Sequence, residues 1–272
     1  MAFKLFDTYN PSEVDDFRSL KGKAGLFEKG LFIAESPKIV RKIFESDLTI
    51  ESAFLTPEYY AEFRESFEAH HSEIKIFLAP KTEMEQVVGY SLHQGVMLAV
   101  KIPESRSLLF AARSWPEPFL AIALDGIADA ENMGAIIRNA AAFAVHAILL
   151  DSRSCNPYLR RSVRVSMGTI AQIEIVRVPD LGKALLELKE IRNVTIVGAA
   201  LSEHSISLSE IECTGNTVLV FGSEGWGVRK EILNTCDLLA KIPIAVDVDS
   251  LNVAIANGIF LYEFAKNSKR PH

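Results

Sequence analysis

Three short polar segments, each following an apolar run, carry the side chains of this sequence that are best placed to bind a ligand. Asn132 and Arg138 follow the run FLAIALDG, Glu224 follows TVLVFG, and Ser250 and Asn252 follow LLAKIPI. Amide, hydroxyl, carboxylate and guanidinium groups bind polar ligands through hydrogen bonds and charge pairing. We expect one pocket to gather these five side chains.

The first two segments also have interpretations that involve no ligand. Arg138 lies in the otherwise apolar helix GAIIRNAAAFAV, where it either reaches water or a carboxylate from the helix edge or belongs to a ligand site. The segment GSEGWG places three glycines around Glu224, which suits a loop whose backbone groups touch a ligand directly. The alternative is a glycine-rich turn with a capping glutamate.

The third segment opens a long apolar stretch that runs to Phe264 and contains two asparagines. Asp249 or Ser250 is predicted to cap the final helix, so that Asn252 lies in its first turn and faces the same crevice as the other segments. A buried amide without partners costs roughly 1–3 kcal/mol, so Asn257 needs a partner as well. The residues around Asn257 do not identify that partner.

The elements that must position these segments alternate between strands and helices. From FLAIALDG onward, apolar runs separated by helices predict a parallel sheet covered on both faces, and ligands of such sheets bind beyond the carboxyl ends of the strands. The earlier part of the chain alternates in the same way and predicts a small separate α/β domain. We therefore predict domains over residues 1–101 and 118–272, joined by a linker over 102–117 with mixed charge and little periodicity.

Composition disfavours several classes of protein. The chain has 272 residues, of which 49% are hydrophobic, but it has no apolar run long enough to span a membrane. Its start lacks the pattern of a signal peptide, so we expect a cytoplasmic protein. Neither the histidines nor the singly placed Cys155, Cys213 and Cys236 have metal-ligand spacing, and we expect no metal and no disulfide framework. No GxGxxG follows the first strand of the second domain, which disfavours a dehydrogenase.

Charge is informative only locally, because the net charge of -6 does not indicate a nucleic-acid binder. Two basic clusters stand out, one on a predicted helix of the first domain and one in the second: Lys38, Arg41 and Lys42, and Arg160, Arg161 and Arg164. Clusters of this size either lie on an ordinary solvated face or contact the phosphates of a nucleic acid. The residues alone leave both interpretations open.

Taken together, the three polar segments resemble the motifs of the SpoU (TrmH-type) branch of the SPOUT RNA methyltransferases. NMGAIIRNA resembles the N-x-G-x-x-x-R block, LVFGSEGWG the G-x-E-x-x-G block, and IPIAVDVDSLNVAIA the third block, with I-P followed by S-L-N-V. The resemblance is strong over residues 118–267 and weaker over the first domain, which is similar to the family's N-terminal substrate-binding domain. Three residues depart from the family pattern, namely Ser223, Val246 and Trp226, the last where a polar residue is usual.

The resemblance implies a fold, a reaction and partners. The fold is α/β with a C-terminal trefoil knot, a rare feature that composition does not reveal. The reaction is transfer of a methyl group from S-adenosylmethionine to a ribose 2'-hydroxyl of structured RNA, either rRNA or tRNA, by a homodimer. Asn257 then pairs across the dimer or within the knot. The alternative is a noncatalytic RNA-binding protein of the same fold, which the joint presence of all five polar side chains disfavours.

The resemblance also implies roles for individual residues. Five form the catalytic centre: Asn132, Arg138, Glu224, Ser250 and Asn252. Four surround the methyl donor, largely through backbone groups: Gly222, Ile242, Ser250 and Leu251. The two basic clusters become candidate RNA contacts. Arg138 is either the base or a group that binds the target phosphate, and the second role is favoured because a guanidinium has a pKa above about 12.

Overall fold

The computed structural model describes residues 3–6, 9–18, 25–70, 73–212, 215–245, 247 and 249–266. Cys213 and Val246 lie outside these residues. The chain divides into two compact units. The first comprises Met1–Pro103 with Tyr158–Ala171, and the second comprises Glu104–Pro157 with Gln172–His272.

Twelve strands and ten α-helices lie within the described ranges. The strands are β1 (Phe3–Phe6), β2 (Leu31–Glu35), β3 (Ile50–Leu55), β4 (Ile74–Leu78), β5 (Val96–Lys101), β6 (Leu120–Asp125), β7 (Ala147–Leu150), β8 (Glu174–Arg177), β9 (Thr195–Ala199), β10 (Ile206–Ser207), β11 (Thr217–Gly222) and β12 (Leu238–Lys241). The helices are α1 (Gly25–Glu28), α2 (Pro37–Phe44), α3 (Pro57–Ala69), α4 (Lys81–Val88), α5 (Leu108–Ser114), α6 (Ala130–Ala142), α7 (Arg160–Val165), α8 (Leu181–Arg192), α9 (Lys230–Leu233) and α10 (Val253–Lys266).

The first unit is built on a five-stranded mixed sheet in the order β1-β4-β3-β5-β2. Strands β1, β4 and β3 run parallel, whereas β5 pairs antiparallel with both β3 and β2. Helix α2 begins at Pro37, whose fixed φ and missing N–H suit the first turn of a helix. The buried residues of α2, among them Ile39 and Ile43, give it one apolar face toward the sheet.

The second unit is built on a seven-stranded sheet in the order β10-β12-β9-β11-β6-β7-β8, and all of its strand pairs are parallel. Strands β6 and β11 are neighbours in register, with Leu120 opposite Thr217 and Asp125 opposite Gly222. Their carboxyl ends therefore lie side by side. The predicted α/β fold with a parallel sheet is confirmed.

Helices cover both faces of the parallel sheet. On one face, Ala121 of β6 packs in a buried cluster with Ala112 of the α5 helix and Leu185 of the α8 helix. On the other face, α10 contacts β11 and α6, and the rings of Phe221 and Phe260 meet edge to face with centroids 5.4 Å apart. Successive residues of a strand point to opposite faces, so a strand covered on both sides must be apolar throughout. The sequence of β6, LAIALD, meets this requirement up to its last residue.

The predicted linker over 102–117 is not an unstructured connection, because α5 lies within it. The side chain of Ser107 caps this helix by accepting a hydrogen bond from the N–H of Phe110 at 3.4 Å. Leu108 and Trp115 are buried in the core of the second unit. A helix of two turns is too short to give a clear periodic signal, which is why the sequence did not predict it. For the same reason the short strands β1 and β10 and the 3-10 helix Pro11–Phe17 were not predicted.

The segment Tyr158–Ala171 belongs to the first unit, although it lies within the predicted range 118–272. Its helix α7 packs on β2, and the ring of Tyr158 lies 5.1 Å from that of Phe32. Gly168, at φ +80°, lies so close to Ile39 that a Cβ atom would come within 3.2 Å of the Ile39 Cα. These contacts join residues that are far apart in sequence, so local periodicity does not reveal them.

The described part of the chain contains no group of three or more His, Cys, Asp or Glu side chains arranged to hold a metal ion, and none of its helices is long and apolar enough to cross a membrane. Cys155 and Cys236 carry free, half-buried thiols. Burial raises the pKa of each thiol to about 11, so both are protonated at neutral pH.

Candidate active site

Three connections that leave the carboxyl edge of the parallel sheet carry the predicted site residues. Asn132 lies in the first turn of α6, which follows β6, and Glu224 lies two residues beyond β11. Asn252 immediately precedes α10, which follows β12. Because β6 and β11 end side by side, the first two connections start next to each other, and the third meets them there.

A hydrogen-bonded network joins the three connections through their side chains. Asn132 Nδ2 donates to Glu224 Oε1 at 2.6 Å, and Asn252 Nδ2 donates to the same oxygen at 2.7 Å. Asn252 Nδ2 also lies 2.9 Å from Asn132 Oδ1. Glu224 Oε2 has no partner among the described residues, so the carboxylate keeps one oxygen for a ligand.

Two helix caps fix the amide side chains of this network. Asp129 Oδ1 accepts from the N–H groups of Glu131 and Asn132, both at 2.9 Å, and thereby caps α6. Asn252 Oδ1 accepts from the N–H groups of Ala254 at 2.9 Å and Ile255 at 3.3 Å, so this residue caps α10.

The cap of α10 corrects a prediction from the sequence, which assigned it to Asp249 or Ser250 and placed Asn252 in the first turn. The helix begins later, at Val253. Asparagine is among the best N-cap residues, since its short side chain reaches the free N–H groups of the first turn. Asn252 therefore caps the helix with its oxygen and holds Glu224 with its nitrogen.

The glycine-rich segment is a closed turn. Ser223 and Gly227 form an antiparallel bridge, and the N–H of Gly227 donates to the carbonyl of Ser223 at 2.8 Å. Gly222 packs against the base of this turn, where a Cβ atom would lie 2.0 Å from the carbonyl carbon of Gly227. Only glycine fits at position 222. The close contact and the bridge keep the turn closed, and this fixes the backbone position of Glu224.

A cavity of about 370 Å³ lies beside the network. All four residues predicted to surround a donor line it, as does Glu224: Gly222, Ile242, Ser250 and Leu251. Most of the remaining lining is apolar and comes from the ends of β9, β11 and β12 and from α10. The cavity has the size and the mixed lining typical of a site for a small molecule.

Arg138 stands apart from the cavity that the sequence predicted it to share. It is the ninth residue of α6, is exposed, and does not line the cavity. Six residues of helix place it about 9 Å further along the axis than Asn132 and about a third of a turn around it. No residue of the described part of the chain hydrogen-bonds or ion-pairs with Arg138, so its guanidinium is available to a partner or substrate.

Asn257 has a partner within the second unit. It is fully buried, and its Oδ1 accepts from Asn139 Nδ2 at 3.3 Å. The same Asn139 nitrogen donates to the carbonyl of Ala254 at 2.9 Å, which ties α6 to α10. Asn257 Nδ2 has no partner among the described residues. The amide that the sequence left unexplained thus helps to fix the two helices that carry Asn132 and Asn252.

One ionic cluster at the same sheet edge was not predicted. Asp125, at the end of β6, is 2% exposed and receives hydrogen bonds from the backbone N–H and the Nε of Arg229, at 2.8 and 2.7 Å. Burial disfavours the charged guanidinium, but the hydrogen bond and charge of Asp125 outweigh it and raise the pKa of Arg229. This pair fastens Arg229, the second residue beyond the glycine-rich turn, to the end of β6. The sequence held one signal of this cluster, namely an aspartate at the end of the apolar run LAIALD, because a buried carboxylate needs a partner.

The six residues predicted to contact RNA all lie in the first unit. Some of them form ion pairs there and others do not. Arg41 pairs with Glu62, while Arg160 donates from Nε to Glu35 Oε2 at 2.9 Å and lies over the ring of Tyr90. Lys38 and Arg164 are exposed and have no ion pair within the described ranges. The two others, Lys42 and Arg161, are half-buried and exposed, respectively.

Comparison with known proteins identifies a family. The profile of the SpoU rRNA Methylase family matches residues 120–262. An uncharacterized tRNA/rRNA methyltransferase of Mycolicibacterium smegmatis is 34% identical over 199 residues, which are 72% of this chain and 63% of that relative. The chain thus spans less than two thirds of the length of this curated relative.

Solved structures share the fold of the chain. The AdoMet-bound rRNA methyltransferase from Sinorhizobium meliloti matches with a TM-score of 0.82 at 25% identity, covering 98% of each chain. A SpoU methyltransferase from Streptomyces viridochromogenes in complex with AdoMet matches with a TM-score of 0.80 at 23% identity, covering 94% of this chain and 98% of that one.

The closed turn can be tested by adding one methyl group. We expect Gly222→Ala to lower the free energy of unfolding by about 2 kcal/mol or more, because its Cβ overlaps the backbone of Gly227. Gly225→Ala is the matched control: nothing lies within 4 Å of its added Cβ, so a change within about 0.5 kcal/mol is expected. Differential scanning calorimetry of the purified variants measures both. Equal unfolding temperatures for the two variants would contradict the packing at position 222.

Proposed function

The chain belongs to the SpoU rRNA methylase family, and on that premise we propose that it transfers a methyl group from S-adenosylmethionine to a ribose 2'-hydroxyl of structured RNA, either rRNA or tRNA. The observation that carries the proposal is the network in which Asn132 and Asn252 share one oxygen of Glu224 at the mouth of a small-molecule cavity.

The cavity fits the proposed methyl donor. Its lining combines apolar side chains, among them Phe221 and Phe260, with the backbone of the glycine-rich turn and the hydroxyl of Ser250. Gly222, Ile242, Ser250 and Leu251 would hold the adenosine part through backbone groups. S-adenosylmethionine supplies an activated methyl group on a cationic sulfonium. A largely neutral lining with a carboxylate at the rim suits a cation of this kind.

The residues of the network act by positioning. The attacking 2'-oxygen must approach the methyl group from the side opposite the sulfur, so its orientation determines the rate. Asn132 and Asn252 hold Glu224, whose free Oε2 accepts a hydrogen bond from a hydroxyl of the substrate. Arg138 binds the phosphate next to the target ribose and favours the ionised hydroxyl, and the proton leaves to water. Arg138 does not act as the base, because a guanidinium gives up its proton very reluctantly.

The first unit is proposed to bind the RNA substrate. Of the six basic side chains predicted to contact RNA, Lys38 and Arg164 keep their charge free of ion pairs in the described part of the chain. The charges of Arg41 and Arg160 are each partly neutralised by an ion pair with a glutamate. Uncompensated cations on one unit contact phosphates without reading sequence, which fits a domain that holds a structured RNA.

A trefoil knot is proposed for the second unit. Two features support it. The late strand β12 lies between β10 and β9, which both precede it in the chain. The segment that follows β12 lines the cavity at Ile242, Ile244 and Leu251 before α10 returns to pack against α6 and β11. A knot would hold these segments around the donor without further contacts.

A homodimer formed through α10 is also proposed. The outer side of this helix exposes Ile255, Ile259 and Tyr262, by 57%, 38% and 59%. Tyr262 meets the ring of Phe143, at the end of α6, edge to face at 6.4 Å. An apolar stripe of large side chains with this spacing marks a helix face that another protein surface covers.

A cytoplasmic location remains a prediction from the sequence.

The reaction can be tested with labelled S-adenosylmethionine and total rRNA and tRNA from a strain that lacks the gene. We expect label to enter RNA at ribose 2'-oxygens, which appear as gaps in an alkaline hydrolysis ladder because a methylated 2'-oxygen cannot attack the backbone. Asn132→Ala is the control variant and should transfer at least about tenfold more slowly, with the dissociation constant for the donor little changed. Label on a base would contradict the position of transfer. No label from the wild type would favour the noncatalytic RNA-binding protein.

The role of Arg138 can be tested with Arg138→Lys, which keeps the charge but loses the planar fork. We expect kcat/KM for RNA to fall about tenfold or more, because a fork binds a phosphate with two hydrogen bonds. The donor affinity, measured by calorimetry, should not change, because Arg138 does not line the cavity. Arg113→Lys on α5 is the matched control and should behave as wild type. Unchanged kinetics of Arg138→Lys would rule out a specific role for the guanidinium.

A further inference from the structure

The side chain of Trp226 is almost fully in solvent, at 90% exposure. The chain has two tryptophans, and the other behaves as expected of a large aromatic residue. Trp115 is 6% exposed, and its Nε1 donates to Glu174 Oε2 at 2.9 Å. An indole that stays in water does not contribute the stabilisation that its burial would give. An exposed tryptophan beside a functional site therefore suggests a contact with a ligand or partner.

The backbone holds this indole out in solvent. Trp226 lies inside the turn closed by the Ser223 and Gly227 bridge, and its N–H is 3.4 Å from Ser223 Oγ. Gly222 packs against the base of the turn, so the turn cannot swing inward. The backbone that carries the ring is therefore already ordered, so the loop loses little conformational entropy when the ring meets a ligand.

The indole stands next to the proposed reaction centre. Trp226 lines the same cavity as Glu224 and Ser250. It is two residues from Glu224, so their Cα atoms are at most about 7.6 Å apart. The residue that carries the ring therefore lies beside Glu224, which the network would use to orient the ribose.

We propose that Trp226 stacks on a nucleobase of the substrate RNA beside the ribose that is methylated, an inference that rests on the proposed function. The turn GSEGWG carries no cation, and Glu224 in it is negative, so this surface is unsuited to a phosphate. A neutral ring that is exposed to water is suited to the face of a base. Stacking accepts any base, so Trp226 fixes the position of the nucleotide without selecting its identity.

Kinetics test the stacking with Trp226→Ala and Trp226→Phe, using S-adenosylmethionine and the rRNA and tRNA pool from the strain that lacks the gene. We expect Trp226→Ala to raise KM for RNA by about 5- to 150-fold, which corresponds to the loss of about 1–3 kcal/mol from one stacked base. Trp226→Phe should recover most of that loss, because a phenyl ring still stacks. Leu186→Ala removes another exposed apolar side chain, 48% exposed on α8, and should leave KM unchanged.

Other roles of Trp226 predict other results. Weaker donor binding by Trp226→Ala in calorimetry would assign the ring to the adenine of the donor, and a change in sedimentation coefficient would assign it to a subunit contact. Either result, or a wild-type KM for RNA, would overturn the stacking. If the wild type transfers no methyl group at all, the proposed function fails instead.

Fluorescence gives a direct readout that does not depend on turnover. The difference between the emission of the wild type and that of Trp226→Phe isolates Trp226, because both keep Trp115. The Trp115 emission that remains in Trp226→Phe measures the absorption by the RNA, and the difference signal is divided by that loss. We expect the RNA pool to quench this difference signal and to protect it from acrylamide. An unchanged difference signal at RNA concentrations that saturate a filter-binding assay would contradict the proposal.

Discussion

One oxygen of Glu224 holds the second unit's site together, since it accepts hydrogen bonds from both Asn132 and Asn252. These residues come from three connections that are separated by long stretches of chain. Hydrogen bonds to a charged acceptor are stronger than neutral ones, and here two of them converge on one atom. The position of each loop is therefore set by the other two, and a ligand at the mouth of the cavity meets a fixed arrangement.

The rest of the second unit supports this convergence. Parallel pairing in register brings the ends of β6 and β11 together. Behind the network, Asp125 fastens Arg229, and the close contact of Gly222 with Gly227 shuts the turn. Asn139 and Asn257 tie α6 to α10; Asn132 lies in the first turn of α6, and Asn252 caps α10. All of these contacts fix the segments of backbone that carry the network. The site is thus preorganised, which is the main contribution a protein can make when the donor is already activated.

The sequence predicted the parallel sheet and the loops of the site because both depend on local signals. Apolar runs such as LAIALD indicate buried strands, and three glycines around Glu224 indicate a tight turn. Most of what it did not predict depends on contacts between distant residues. It could not show that Tyr158–Ala171 packs in the first unit. The cap of α10 is a local contact, but Asp249, Ser250 and Asn252 are all good N-cap types, so the sequence did not single out Asn252. Nor could it separate Arg160, which is tied to Glu35, from Arg164, since both read as cations in one short helix.

A double-mutant cycle on the rate of 2'-O-methyl transfer shows whether Asn132, Glu224 and Asn252 act as one unit, as their shared oxygen of Glu224 predicts. The two changes are Asn132→Ala and Asn252→Ser, because serine keeps a capping oxygen for α10 but is too short to reach Glu224. Residues that act as a unit give non-additive losses, so the double variant should be no slower than about the slower of the two single variants. Losses that multiply in the double variant, or a single variant with the wild-type rate, would contradict the account.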